Sequence, residues 1–103
     1  MNRQRKIELQ VLALHRLLAL RIRAGDSSPI AKARANLQRW KVQFGGELPA
    51  AYQNWQRQLE ESPDSWLQLL DGDTEEAARW RSSSPFAGAV SPKERWQVIR
   101  HAA

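Results

Sequence analysis

A serine stands directly before a proline at Ser28-Pro29, Ser62-Pro63 and Ser91-Pro92, each at the head of a segment with helical periodicity. A serine hydroxyl at the N-cap accepts from an amide of the first helical turn. Proline at the next position gives up an amide that has no intrahelical partner there, so each pair marks a helix start. Ser91 is followed by Glu94, completing a capping box, and Asp73 with Glu76 marks a further start of the same kind. The stops are as legible: Gly25, Gly45-Gly46 and Asp71-Gly72 each end a segment with helical periodicity. No alternating Val/Ile/Thr run occurs, so the chain reads as helices at about 3–24, 29–44, 49–61, 63–70, 74–81 and 92–101. The expected fold is all-α: a compact bundle of five to six helices with a long N-terminal helix and no sheet. Residues 1–103 make a single domain, with fraying expected at 1–4 and 101–103.

The apolar positions say how these helices should pack. In the first helix Ile7, Val11, Leu14, Leu18 and Ile22 form a stripe expected to meet the second helix inside the protomer. Leu9, Ala13, Leu17, Leu20 and Ala24 form another apolar face, and Arg5, Arg16 and Arg23 form the polar strip that remains. A helix apolar on most sides needs cover on both, from the rest of the domain or from a second copy. A homodimer through Leu9, Leu17 and Leu20 is the expectation, with a monomer wrapped by the later helices as the alternative. Ile30, Ala33, Leu37, Trp40 and Phe44 give the second helix one packed face; Tyr52, Trp55 and Leu59 do so for the third, and Trp66, Leu67 and Leu70 for the fourth.

Charge is divided unevenly along the chain. Residues 1–45 carry ten Lys/Arg against Glu8 and Asp26, a balance of +8, whereas the remainder carries six Lys/Arg and nine Asp/Glu, a balance of −3. A polyanion would therefore meet the first two helices, through Arg3, Arg5, Lys6, Arg16, Arg23, Lys32 and Arg39. A helix–turn–helix at residues 63–81 is disfavoured, because Glu75 and Glu76 would lead its second helix toward phosphates. Arg39-Trp40-Lys41, Arg79-Trp80-Arg81 and Arg95-Trp96 could suggest base stacking, but a buried tryptophan flanked by snorkelling cations gives the same string and is preferred.

Most catalytic chemistries lack their residues. The chain has no cysteine, which excludes a disulfide framework and thiolate metal sites and suits a cytoplasmic protein. The basic then apolar N-terminus is interrupted by Glu8, Gln10, His15 and Arg16, so neither a signal peptide nor a membrane span is expected. The two histidines, His15 and His101, are assigned surface or packing roles, and no serine is seen with a histidine partner; Ser82 to Ser84 are read as turn formers. A calcium loop counted from Asp71 fails, with Glu76 where glycine is needed and Ser82 where the bidentate glutamate belongs. Gly45-Gly46 follows a helix and lacks the lysine of a phosphate loop. No catalytic residue, metal or cofactor is expected, and the chain is read as not an enzyme.

The stretch from Arg79 to Arg100 contains Arg81, then Ser84-Pro85-Phe86-Ala87-Gly88, then Glu94-Arg95-Trp96. This arrangement, R-x-x-SPFAG-x-x-x-x-x-ERW, resembles the C-terminal ends of small, largely uncharacterised bacterial proteins. Some of these carry an N-terminal helix–turn–helix and occur beside toxin–antitoxin or mobile-element genes. The resemblance covers about a fifth of the chain, and no helix–turn–helix is read in front of it here. Physically, Pro85 fixes one turn, Gly88 permits a left-handed backbone and Phe86 can fill a core gap. Ser84, Pro85, Phe86, Gly88, Arg95 and Trp96 are thus candidate motif residues, forming either a structural latch, the preferred reading, or a partner-docking loop. The functional expectation is a regulatory or antitoxin-like binding protein of a bacterial accessory locus, acting by protein–protein contact. A nucleic-acid-binding protein using the basic N-terminal helices is the alternative, and a small enzyme ranks third.

Overall fold

The computed structural model describes residues 2–102, and among these it is all-helical with no strand. The elements are α1 (Arg3–Arg23), α2 (Ser28–Gln43), α3 (Ala50–Gln58), α4 (Gln68–Asp71), α5 (Glu75–Ser82) and α6 (Pro92–Ala102), with a 3-10 turn at Pro63–Ser65. The long N-terminal helix and the helix count are as expected. Met1 and Ala103, part of the ends expected to fray, lie outside the described residues.

Local chemistry explains most of the boundaries. The Asn2 side chain caps α1 by accepting from the Arg5 amide at 2.8 Å. The helix ends at Gly25, whose φ of 93° lets the Gly25 and Asp26 amides donate back to the Ile22 and Arg21 carbonyls. Gly45, with φ of 80°, ends α2 in the same way. At α6 Ser91 caps the helix as expected: the Glu94 amide donates to Ser91 Oγ at 3.2 Å, and the Glu94 carboxylate accepts from that hydroxyl at 3.1 Å in place of the Ser91 amide of a full capping box.

Three starts differ from expectation. The cap of α5 is Thr74 rather than Asp73, its hydroxyl accepting from the Ala77 amide at 3.1 Å. Ser28 makes no side-chain cap bond. The turn into α2 is organised by Asp26, whose exposed carboxylate accepts from the Ser28 amide at 2.9 Å and is held below the usual carboxylate range by that bond. Ser62 makes none either, and the segment expected as one helix over 63–70 divides. Trp66 leaves helical geometry, with φ of −132° and ψ of 0°, as its ring enters the core; α4 follows as a single short helix.

One buried cluster runs through the molecule: Leu18, Ala19 and Ile22 of α1, Ala33 and Leu37 of α2, Leu48, Trp55 and Leu59, Trp66, Leu67, Leu69 and Leu70, and Phe86. Trp55 stands at its centre. It meets Trp66, Trp80 and Phe86 edge to face, with ring centroids 6.3, 5.2 and 5.8 Å away. Its indole N–H donates to the Trp80 carbonyl at 2.9 Å, so the ring is buried without a stranded donor. Of the tryptophans expected to be buried among cations, Trp40 and Trp80 are half-buried, while Trp96 is 62 % exposed.

The spine of the fold is α1, which packs against α2, α4, α5 and α6. Its buried residues are Leu12, His15, Leu18, Ala19 and Ile22, a face rotated from the expected stripe: Ile7 is exposed and Val11 and Leu14 are half-buried. Arg5, Arg16 and Arg23, which read as a solvent strip, instead face the turn between α4 and α5 and bond to it. In α2, Phe44 is exposed at the C-cap and not part of the packed face. Among the described residues no helix is long and apolar enough to cross a membrane.

Candidate functional site

Among the described residues three polar side chains are buried, His15, Asn36 and Arg81, and each binds main-chain or loop atoms. His15 Nδ1 lies 2.7 Å from the Val11 carbonyl oxygen, which can only accept, so Nδ1 carries the proton. Nε2 then accepts from the Ser84 hydroxyl, also at 2.7 Å. Ser84 Oγ in turn accepts from the Phe86 amide at 3.2 Å. From α2, Asn36 Nδ2 donates to the carbonyls of Pro85 at 2.9 Å and Ala87 at 2.8 Å, while its Oδ1 accepts from Arg39. Phe86 is driven between His15, Trp55 and Trp66. Gly88 has the left-handed backbone its sequence context suggests, φ 79°, and a Cβ there would crowd Lys32 Cε at 3.1 Å. The loop is pinned from two helices at once.

Ser84 therefore has the histidine partner that the sequence did not reveal. The setting is poor for acyl transfer. A general base must take up a proton in the transition state, yet burial, reinforced by the positive charge of Arg81 and only partly offset by the Val11 hydrogen bond, pushes His15 down to about 4. Its Nδ1 faces a carbonyl and not a carboxylate, so nothing stabilises an imidazolium as the third member of a triad does. The adjoining cavity, about 210 Å³, is walled mainly by Val11, Leu14, Leu18, Phe86 and Val90. The pair ties loop to helix.

Arg81, the first residue of the motif, was not singled out by its sequence position alone. It is 6 % exposed, and its Nη1 donates to the carbonyls of Leu69 at 3.1 Å, Leu70 at 3.3 Å and Gly72 at 2.7 Å. Burial lowers its pKa from the ordinary arginine value, and the carboxylates of Asp73 and Asp71 act in the opposite sense. Arg81, Ser84, Pro85, Phe86 and Gly88 thus serve as framework. Glu94 pairs with Arg21 of α1, which holds its carboxyl below the usual range, while Arg95 and Trp96 remain on the surface.

The seven basic residues assigned to nucleic acid are not gathered onto one surface. Arg5 pairs with Asp73 at 3.5 Å and Glu8 at 3.6 Å, Arg16 Nε donates to the Asp71 carbonyl at 3.2 Å, and Arg23 pairs with the Asp71 carboxylate. Arg39, on α2, donates to Asn36, and Arg3, Lys6 and Lys32 are exposed. The three arginines of the α1 strip are thus engaged within the chain.

The other predicted contact residues share the outer face of α1. Leu9 and Leu17 are half-buried and Leu20 is 65 % exposed. Beside them Ala13 joins Gln97, Val98 and His101 of α6 around a shallow depression of about 350 Å³, with no carboxylate in its lining. Among the described residues no group of three His, Asp or Glu side chains could hold a metal ion. Compared with known proteins, the chain matches no family model, no curated protein and no solved structure.

Proposed function

We propose that this chain is a non-enzymatic, antitoxin-like binding protein of a bacterial accessory locus and that it acts by protein–protein contact through the outer face of α1. The observation that carries the reading is Leu20. It is largely exposed at the end of an apolar row, on a helix whose opposite face is core. A large apolar side chain left in water at the end of a half-covered apolar row, on the helix face opposite the core, marks a surface open to a partner. The accessory-locus part of the reading rests on the resemblance of the SPFAG and ERW segments. Nucleic acid is the weaker alternative, because Arg5 and Arg23 already pair with carboxylates in the turn between α4 and α5.

Affinity capture from the native host with the wild type and with Leu20→Glu tests this. One stoichiometric protein held by the wild type and lost with the variant is the expected result. Nucleic acid that co-purifies equally with both and is released by salt would overturn the reading.

A further inference from the structure

We propose that the partner seated on the outer face of α1 is an acidic amphipathic helix. The inference rests on the protein-binding reading above and names the chemistry of what binds. Leu9, Ala13, Leu17 and Leu20 recur at steps of four, four and three, the spacing at which one helix offers a row of apolar contacts to another.

The charges around that row have one sign. Lys6 lies in line with it toward the N-terminus and is exposed. Arg16 is exposed on its flank, and its Nε donates to the Asp71 carbonyl and not to a carboxylate. The carboxylates that could offset them are directed elsewhere: Glu8 and Asp73 to Arg5, Asp71 to Arg23, and Glu94 to Arg21. An apolar centre with a cationic rim remains.

That combination discriminates between occupants. A second copy related by a two-fold axis covers the apolar row but brings its own Lys6 and Arg16 toward the same rim, where like charges repel. A nucleic acid answers the charge and leaves Leu17 and Leu20 against phosphates. A helix with an apolar stripe flanked by Glu or Asp satisfies both, and its charge speeds encounter as well as favouring the bound state.

The test uses two fluorescein-labelled helical peptides with the same Leu/Ile stripe, one with Glu and one with Lys at the flanking positions. Each is titrated with the full chain by fluorescence anisotropy, alongside sedimentation equilibrium of the chain alone. The Glu peptide should bind at least about tenfold more tightly than the Lys peptide, with the advantage shrinking as salt is raised. Lys6→Glu should narrow that ratio, and Leu20→Glu should abolish binding while leaving the circular dichroism spectrum unchanged. Equal binding of both peptides, lost with Leu20→Glu, would overturn the acidic partner and leave the protein-binding face standing. No peptide binding, with self-association that Leu20→Glu disrupts, would give the face to a second copy. No peptide binding by a monomeric chain would overturn both this inference and the reading it rests on.

Discussion

The two sides of α1 follow opposite rules. On the inner side every polar group that enters the core has a partner: His15 is held by Val11 and Ser84, and the loop that packs over it is held by Asn36. On the outer side Leu20 is left in water, and Leu9 and Leu17 are only half-covered. A buried polar atom without a partner costs about 1–3 kcal/mol, whereas an exposed leucine costs the folded state little relative to the unfolded one. The inner face is thus constrained by stability, while the outer face is open to constraint by whatever binds it.

That contrast can be broken by substitution, and the largest effect belongs inside. Phe86→Ala removes the ring shared by Trp55, Trp66 and His15 and should lower stability by about 3–5 kcal/mol. Thermal unfolding followed by circular dichroism reads it directly. A loss under about 1 kcal/mol would mean the loop is a removable surface feature.

Acid should act on the same junction. His15 has a folded pKa of about 4 against 6.5 in the unfolded chain, so the unfolded state takes up its proton first as pH falls. Its contribution is fully present above pH 6.5 and is lost as pH falls toward 4, about 3 kcal/mol in all. Asp26 and Glu94, whose pKa values are lowered, lose their contributions only below the normal carboxylate range, so the interval from pH 6.5 to 4.5 isolates His15. Urea midpoints should fall across that interval in the wild type and stay nearly level in His15→Gln.

A smaller effect separates two adjacent residues. Thr74→Ala should cost about 1 kcal/mol through loss of the α5 cap. Asp73→Ala should cost less, since its exposed pair with Arg5 is screened. The reverse order in chemical denaturation would restore Asp73 as the cap. The smallest effect on stability is expected on the outer face: Leu20→Glu should shift it by no more than about 0.5 kcal/mol while removing partner binding. A large destabilisation there would mean that the two sides of α1 are not distinct.

Much of the architecture was legible because it is written in local side-chain chemistry. Gly25 and Gly45 end helices through backbone conformations that glycine alone adopts easily, and the Ser91 hydroxyl caps α6 as its place before Pro92 implies. What stayed hidden has a common cause. His15, Asn36 and Arg81 take main-chain carbonyls as acceptors, and a carbonyl leaves no mark on a sequence. His15 did carry a signal, since it lies three residues after Leu12 and three before Leu18, on one face with Ala19 and Ile22. The arginines beside it made that face look wet. Arg5, Arg16 and Arg23 read as solvated because their acceptors, Asp71 and Asp73, are some fifty to seventy positions away in the chain. The same distance hid the rotation of α1 from its expected packing.

The burial of Arg81 has a consequence for how the protein opens. The carbonyls at the end of α4 are satisfied by a side chain of α5, and a four-residue helix has too few internal bonds to persist alone. Opening α5 withdraws the guanidinium and releases α4 with it, so the two behave as one unit of local unfolding although a turn divides them. In native-state hydrogen exchange their slowest amides should share a single opening free energy, and an arginine at the head of the SPFAG segment would be the rivet between them.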